Sequence, residues 1–373
     1  MAGSIARAFP KEGDALARLD SFLRLVVEQK ASDLHFHSGV VPLIRHDGDL
    51  LPLNFRALSE ADALRFLLEI LTPEQRAVFD RDQELDFIYE LPEVGRFRAN
   101  MFQQARGIGS VFRIIPNQLP TIEELSLPPV VKKLTELQNG LVLVTGPTGS
   151  GKTTTLAALV HEINKTSSRH IITIEDPIEY VHTPLQSVVT QRQVGRHVES
   201  FATALRSSLR ESPDVVVTGE MRDLETIQVA LQAAETGVLV FGTLHTNSAS
   251  KAADRIIDVF PDESREQVRG VVSVMLRGVL AQMLCKRAAG EGRVAVLEVM
   301  LQTVGISNLI RESKCYQIDS YLQTADPGSG MQSLDSCIFQ YVKEGVITLE
   351  EGLRVANYPD VVKRMAAELP EEI

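Results

Sequence analysis

Two kinds of hydrophobic periodicity alternate along the first 115 residues. Apolar residues three and four positions apart predict amphipathic helices over residues 16–30 and 59–71, the second with Ser59 as its N-cap. Apolar and polar residues alternate, as in half-buried strands, over residues 31–37, 41–45, 85–89, 96–102 and 109–115. Together these elements predict a small α+β domain of about 100 residues.

The pattern changes beyond residue 137, where short, continuous apolar runs alternate with segments of helical spacing. The runs cover residues 141–144, 171–174, 215–218 and 238–241. Because strands that are buried on both faces lack polar alternation, these runs predict a mostly parallel sheet with helices on both sides. After Cys285 the pattern is mainly helical, with residues 294–299 as one further strand candidate.

A proline-rich stretch separates the two patterns. Residues 116–129 contain four prolines with polar spacers, a composition typical of a domain boundary or linker. A long surface loop inside one domain would have the same composition. Since the periodicity changes directly after this stretch, we interpret the chain as an N-terminal domain over residues 1–115, a linker over 116–136 and a second domain over 137–373.

The strongest chemical signal follows the first apolar run of the second domain. The segment fits the G-x-x-x-x-G-K-[ST] pattern of a phosphate-binding loop at every fixed position. Its residues, with the one that follows, are Gly146, Pro147, Thr148, Gly149, Ser150, Gly151, Lys152, Thr153 and Thr154. The glycines let backbone N–H groups turn toward phosphate oxygens, and the following helix adds its N-terminal donors. We therefore expect a bound nucleoside triphosphate, with Lys152 at its β- and γ-phosphates and the Thr153 hydroxyl on Mg²⁺.

Polar residues follow the other apolar runs. Glu175 follows residues 171–174, Glu220 follows 215–218 in the Walker B arrangement, and His245 follows 238–241. Because ligands of open α/β sheets bind beyond the carboxyl ends of the strands, all three residues are candidates for catalysis. A carboxylate there can polarise the attacking water or hold the Mg²⁺ shell, and a histidine can sense the γ-phosphate. Solvated acidic turns and a structural histidine are the alternatives, and the sequence does not separate Glu175 from Glu220 as the residue that polarises water.

Two groups of arginines are candidates for stabilising phosphate charge. Arg206 and Arg210 are four residues apart on a helix predicted over residues 201–211, so they would share a face. Arg98 and Arg113 lie on candidate strands of the N-terminal domain. An arginine from a neighbouring subunit can stabilise the charge of a phosphoryl transition state. The alternative for each is an ordinary surface charge.

Composition narrows the class of protein. The net charge of −11 disfavours a general nucleic-acid binder and a protein attracted to anionic lipid. No apolar run reaches the roughly 18 residues that a membrane span needs. The three cysteines form no C-x-x-C pair, which indicates reduced thiols in a cytosol. His35 and His37 would share a strand face, but they lack an evident third ligand, which disfavours a metal site there.

Four segments in sequence order resemble the characteristic boxes of the secretion-type hexameric ATPases. Walker A, the Asp box, Walker B and the His box correspond to residues 146–153, 172–179, 219–226 and 242–246. Within that superfamily, the chain resembles the type IV pilus retraction motors of the PilT family over nearly its whole length. The resemblance implies a PAS-like α+β N-terminal domain and a RecA-like P-loop ATPase domain, with a mostly parallel sheet and C-terminal helices.

The resemblance also implies a mechanism and partners. ATP and Mg²⁺ would bind between the subunits of a homohexamer, with Thr153 and Glu220 at the metal and with Arg98 and Arg113 supplied by the N-terminal domain. Arg210 is a further candidate. ATP hydrolysis would drive pilus retraction and twitching motility beneath a platform protein, at the cytoplasmic face of the inner membrane. A paralogous pilus ATPase is a further possible partner, and neither nucleic acid nor insertion into the membrane is implied.

Differences from the family pattern leave one alternative open. Residues 305–312 read Gly-Ile-Ser-Asn-Leu-Ile-Arg-Glu, where the retraction motif often reads Ala-Ile-Arg-Asn-Leu-Ile-Arg-Glu. An accessory retraction ATPase therefore competes with the main motor, although such paralogues usually have Tyr in place of Leu224. The chain lacks the four-cysteine insert and long N-terminal domain of assembly motors, which disfavours pilus extension. A nucleotide-gated regulator and a nucleic-acid translocase are the rival functional classes.

Overall fold

A six-stranded antiparallel sheet and three helices form the N-terminal unit of the computed structural model, which describes residues 17–46, 48–115, 118–290 and 292–367. In chain order its elements are α1 (Asp20–Glu28), β1 (Asp33–His37), β2 (Leu43–His46), β3 (Asp49–Pro52), α2 (Glu60–Leu68), α3 (Pro73–Asp82), β4 (Glu84–Leu91), β5 (Gly95–Gln104) and β6 (Gly107–Ile115). The strand order is β3-β2-β1-β6-β5-β4.

Aromatic side chains build the core of this unit. Phe22 of α1 and Phe66 of α2 pack with Phe36 of β1, and Phe97 and Phe112 are fully buried on β5 and β6. The predicted cap of α2 is confirmed, because Ser59 Oγ accepts the Asp62 N–H at 3.1 Å. The sequence analysis missed α3. Its start carries a capping box in which the Thr72 and Gln75 side chains and backbone groups pair reciprocally.

The chain divides into two compact units between Gln118 and Leu119. Its remaining elements are α4 (Lys132–Thr135), β7 (Gly140–Thr145), α5 (Lys152–Thr166), β8 (His170–Glu175), β9 (Val188–Gln193), α6 (Phe201–Ser208), β10 (Val215–Thr218), α7 (Leu224–Glu235), β11 (Leu239–Leu244), α8 (Ala249–Asp258), α9 (Asp262–Met275), β12 (Leu276–Lys286), β13 (Arg293–Leu301), α10 (Val304–Arg311), α11 (Ile318–Gln323), α12 (Leu334–Lys343), α13 (Leu349–Val355) and α14 (Pro359–Ala367). The strand order is β13-β12-β7-β11-β10-β8-β9, parallel except where β13 pairs with β12.

The predicted mostly parallel sheet is confirmed, and so is the mainly helical region beyond β13. Every residue of β7, β10 and β11 is buried, which explains the uninterrupted apolar runs. Two strands of this sheet were not predicted, β9 and β12. The sequence analysis assigned residues 116–136 to a linker, but Ile122, Leu127 and Leu134 are buried in a hydrophobic cluster of the second unit. These apolar side chains pack against the sheet of the second unit. The proline-rich sequence around them does not predict that contact.

Among the described residues, no helix is both long enough and apolar enough to cross a bilayer.

Candidate nucleotide site

The order of four neighbouring strands brings the predicted site residues together. β7, β11, β10 and β8 are consecutive parallel strands, with Thr145 paired to Leu244 and Thr218 paired to both Gly242 and Ile174. The phosphate loop, His245, Glu220 and Glu175 therefore follow the carboxyl ends of adjacent strands. This is the edge at which open α/β sheets bind ligands.

Glycines give the phosphate loop its curvature. Gly146, Gly149 and Gly151 have φ angles of +143°, +81° and +86°, which side chains other than glycine rarely adopt. Gly151 is the N-cap of α5, so the free N–H groups at the start of that helix face the loop. The Lys152 ammonium closes the loop by donating to the Gly146 and Pro147 carbonyl oxygens at 2.8 and 3.0 Å. This geometry suits an anion, because N–H donors and one cation converge on one concave segment.

Beyond the phosphate loop, the side chains of Glu220 and His245 contact each other. His245 Nε2 lies 2.8 Å from Glu220 Oε1, and Arg222 Nε donates to the same oxygen. Burial alone would raise the pKa of Glu220, but the hydrogen bonds from Arg222 and His245 outweigh it and hold the pKa below its ordinary value. Thr243 Oγ1 donates to the Gly219 carbonyl oxygen at 2.5 Å, which joins the two strand ends that carry these residues.

Glu175 occupies a different environment. Its Oε1 accepts hydrogen bonds from Thr173 Oγ1 at 2.6 Å and from Gln191 Nε2 at 3.1 Å. Burial nevertheless dominates and raises the pKa of Glu175 above its ordinary value. The two candidate carboxylates are therefore shifted in opposite directions, with Glu220 favoured as the ionised group.

The residues around the loop fit both a nucleotide and Mg²⁺. Thr153, Glu175 and Glu220 line one cavity of about 80 Å³ and present the oxygen atoms that Mg²⁺ prefers. Ser150 Oγ is buried and has no hydrogen-bond partner within the described part of the chain, so a phosphate oxygen would supply one. Thr154 instead uses its hydroxyl within the protein, where it lies 3.2 Å from the Tyr180 hydroxyl.

The arginine candidates lie in different places. Arg98 and Arg113 are direct partners on β5 and β6, and Asp33 on β1 is the next partner of Arg113. Arg113 Nε donates to Asp33 Oδ1 at 2.7 Å, which offsets the repulsion between the two neighbouring guanidinium groups. These arginines belong to the N-terminal unit, and the phosphate loop belongs to the second unit.

The structure places Arg210 away from the phosphate edge of its own subunit. The sequence analysis extended the helix to residue 211, but α6 ends at Ser208 and Arg210 lies in the turn that follows. The Glu211 carbonyl oxygen lies 3.1 Å from Nδ1 of His170, the first residue of β8. Since β8 carries Glu175 at its other end, Arg210 lies near the amino ends of the strands. Arg206 pairs with Glu225, with 2.5 Å between Nη2 and Oε1.

The sequence analysis missed two glutamines that support the site. Gln191 on β9 bridges Glu175 Oε1 and the Tyr180 carbonyl oxygen through its Nε2. Gln282 on β12 donates through Nε2 to the Ser150 carbonyl oxygen at 2.6 Å. Gln282 is a polar residue within a largely apolar segment, which is the sequence signal that could have identified it, whereas Gln191 lies on a mostly polar strand and has no such signal. Fold and site together define a P-loop nucleoside triphosphatase.

Comparisons with known proteins narrow this class. Residues 12–354 match the family model described as Type II/IV secretion system protein. The chain is 49% identical over 343 residues to the type IV pilus retraction ATPase PilT of Pseudomonas aeruginosa, covering 92% of this chain and 99% of that protein. It is 39% identical over 346 residues to the type IV pilus ATPase PilU of the same organism, covering 93% and 90%.

The fold of a solved pilus retraction motor also matches the fold of this chain. The crystal structure of the pilus retraction motor PilT with bound ADP matches this chain with a TM-score of 0.84 and 43% identity, covering 92% of this chain and 98% of that one. The chain belongs to the Type II/IV secretion system protein family and, within it, to the PilT group of pilus retraction ATPases.

Proposed function

We propose that this chain is a motor that couples hydrolysis of Mg-ATP to retraction of a type IV pilus. One observation carries the enzymatic part of the proposal. The phosphate loop, Glu220 and His245 follow adjacent strands, and His245 holds the Glu220 carboxylate at 2.8 Å. A protein that only bound ATP could lose the acid that polarises water, whereas this chain keeps that acid in a fixed orientation.

Each residue at this edge has a role in the proposed reaction. Loop N–H groups and Lys152 bind the β- and γ-phosphates, and the Thr153 hydroxyl is placed to hold Mg²⁺. Bound Mg²⁺ would neutralise charge that develops on the phosphates. Glu220 polarises the attacking water, while His245 fixes the direction in which the carboxylate points. Glu175 lines the same cavity and completes its polar wall.

The proposed active form is a homohexamer with a nucleotide site at each subunit interface. Arg98 and Arg113 would act on the γ-phosphate of a neighbouring subunit, because a guanidinium at that position stabilises transition-state charge. Their pairing on neighbouring strands, which puts both arginines on one face of the sheet, supports this role. Arg113 is 65% exposed although it is anchored to the buried Asp33. We propose Arg210 as a further interface residue, since its own phosphate loop lies at the opposite edge of the sheet.

The proposed setting is the cytoplasmic face of the inner membrane, beneath a pilus platform protein. The identity to PilT of P. aeruginosa is 49% and that to PilU is 39%, which favours the main retraction motor over an accessory paralogue. A paralogous ATPase remains a partner that this chain could join in a working retraction machine. The net charge of −11 supports a role without nucleic acid.

Deletion of the gene in its own host tests this function. We expect loss of twitching and an excess of surface pili, both restored by the wild-type chain and not by Lys152→Ala expressed at the same level. Twitching that survives the deletion would contradict a main motor. A loss that overexpression of a second pilus ATPase repairs would indicate the accessory role.

Phosphate release by the purified protein, measured with and without DNA, separates the motor from the two rival classes. Strong stimulation by DNA favours a nucleic-acid translocase, and absent turnover favours a nucleotide-gated regulator.

A further inference from the structure

The side chain of Gln282 spans the back of the phosphate loop. Its Nε2 donates to the Ser150 carbonyl oxygen at 2.6 Å, and its Oε1 accepts from Thr155 Oγ1 at 2.7 Å. Gln282 and Thr155 are both almost fully buried, so neither hydrogen bond competes with bulk water. One amide therefore joins strand β12, the loop and the first turn of helix α5.

The backbone around Gln282 packs equally closely against the loop. A Cβ atom at Gly151 would lie 2.9 Å from Gln282 Nε2, and one at Gly146 would collide with the Gln282 carbonyl oxygen. The strand register explains this proximity. Ala281 is the partner of Thr145, so Gln282 stands beside the residue at which β7 turns into the loop. Both ends of the phosphate loop thus rest on one residue of the neighbouring strand.

The chemistry of the contact requires an amide. The Ser150 carbonyl oxygen can only accept, so it selects the amide NH₂ group and leaves the amide oxygen facing the Thr155 hydroxyl, which donates to it. With that carbonyl held from behind, the N–H of the same peptide unit, which belongs to Gly151, points to the opposite side because the peptide is trans. A carboxylate at position 282 could accept from Thr155 but could not donate to Ser150. An apolar side chain could do neither.

From these contacts we propose that Gln282 is a positioning residue, which holds the phosphate loop in the conformation that binds nucleotide phosphates. It does not touch the nucleotide; it acts through the Ser150 peptide. Loss of one buried hydrogen bond between neutral groups corresponds to about 1 kcal/mol, or between three- and tenfold in affinity. Because the loop contacts nucleotide before and during the reaction, the loss should appear in binding and in kcat/KM more than in kcat.

Gln282→Met tests the proposal, since methionine has nearly the same volume and shape. Gln332→Met is a stringent control, because Gln332 Nε2 donates to the carbonyl oxygen of Leu297, the partner of Gln282 on the adjacent strand β13, at 2.9 Å. It removes a partly buried amide hydrogen bond beside Gln282 but leaves the contacts to Ser150 and Thr155 intact. Affinity for Mg-ADP is measured by calorimetry on the full chain, together with nucleotide-free melting temperature and steady-state ATPase kinetics. We expect Gln282→Met to bind Mg-ADP three- to tenfold more weakly, while Gln332→Met binds it like the wild type.

Thr155→Val provides a second, independent measurement. It removes the hydroxyl that donates to the amide oxygen, so the Gln282 side chain loses one of its two anchors and Mg-ADP binding should also weaken. Combining it with Gln282→Met should cost no more than Gln282→Met alone, because both changes break one arrangement. If Gln282→Met does not fold, the affinity of Thr155→Val alone decides the question.

Two results would overturn the proposal. One is a folded Gln282→Met variant that binds Mg-ADP within twofold of the wild type; the other is an equal loss in Gln282→Met and Gln332→Met. The proposal rests on nucleotide binding at this loop, so wild-type affinity is measured first. A wild-type protein without affinity for Mg-ADP would refute the proposed function itself, whereas a normal wild type beside a normal Gln282→Met would refute only the role of Gln282.

Discussion

His245 Nε2 and Glu220 Oε1, 2.8 Å apart, join the ends of the neighbouring strands β11 and β10. The contact links a residue that could respond to the γ-phosphate with the carboxylate proposed to polarise water. Arg222 Nε donates to the same carboxylate oxygen from the other side. The direction of the Glu220 carboxylate is thus set by two side chains, and one of them, His245, directly follows β11, the strand next to the one that leads into the phosphate loop.

Replacing His245 with alanine should lower kcat at least tenfold while KM for ATP changes little. Without the imidazole, Glu220 is held by Arg222 alone and points less often at the water, whereas Lys152, proposed to bind the phosphates, has no contact with His245 to lose. Steady-state phosphate release measures both constants. His170→Gln, at the amino end of β8, is the control and should retain normal kcat. A kcat for His245→Ala equal to that of the wild type would exclude a positioning role for the imidazole.

The variants Glu220→Gln and Glu175→Gln should differ in turnover. Glu220→Gln should still bind Mg-ATP and should lose hydrolysis by a factor of about 10² or more, because an amide cannot act as the base that a carboxylate provides. Glu175→Gln should lose less, since burial already favours the uncharged form of this acid. Nucleotide affinity and phosphate release are compared for both. Normal turnover in Glu220→Gln with loss in Glu175→Gln would reassign the base to Glu175.

Mixing two inactive variants should restore activity if an arginine acts across subunits. Arg113→Ala keeps its phosphate loop, and Lys152→Ala keeps its arginine. In a mixed ring some interfaces therefore combine an intact loop with an intact Arg113. The single Arg113→Ala variant should lose on the order of 10³-fold in kcat, as with arginine fingers, while ATP binding falls much less. The measurement is phosphate release against mixing ratio, after subunit exchange has been demonstrated by labelled chains.

The mixing experiment needs a control for the contact of Arg113 with Asp33. Arg45 lies on the other side of the same carboxylate, with 3.8 Å between Arg45 Nε and Asp33 Oδ2. Arg45→Ala thus disturbs the same buried acid without removing the proposed catalytic arginine, and it should stay active. With exchange established, a lack of recovery at every mixing ratio would argue for action in cis, and a wild type that is monomeric while active would exclude the interface altogether.

The buried Glu298 should make stability depend on pH. It is 2% exposed, its Oε1 accepts the Ala249 N–H at 2.6 Å, and burial raises its pKa from 4.5 to about 7. The folded protein therefore binds a proton more tightly at this site than the unfolded chain. Its contribution to stability is present below about pH 4.5 and is lost as pH rises to about 7, by up to roughly 3 kcal/mol.

Glu298→Gln removes this titration, since glutamine stays neutral and can still accept from Ala249 N–H. Its unfolding free energy relative to the wild type should increase between pH 5 and about pH 7.5 and then level off. Denaturant unfolding across that range measures the difference. Glu350→Gln, at an exposed position, should show no such trend. A constant difference between Glu298→Gln and the wild type would mean that Glu298 is ionised in the folded protein throughout this range.

The chain by itself determined the class of protein and most of the site. The phosphate loop is contiguous, so its glycines, Lys152 and Thr153 could be recognised without knowing the fold. Glu175, Glu220 and His245 could be proposed as site residues because each comes within four residues of the end of an apolar run, and parallel strands present their carboxyl ends at one edge. The cap at Ser59 was equally local, because an N-cap bonds to the backbone three residues ahead.

The tertiary structure decided everything that depends on which strands are neighbours. An apolar run such as residues 276–285 fits a buried strand or a buried helix equally well, so β12 and its Gln282 were missed. Strand β9, whose Gln191 supports Glu175 from 16 residues away, was missed for another reason: its sequence Val-Val-Thr-Gln-Arg-Gln is mostly polar and contains no apolar run. Arg210 shared a predicted face with Arg206, but α6 ends before it and leaves it at the opposite edge. Hydrogen bonds between residues distant in sequence, like that from Gln282 to Ser150, exist only after the sheet has been assembled.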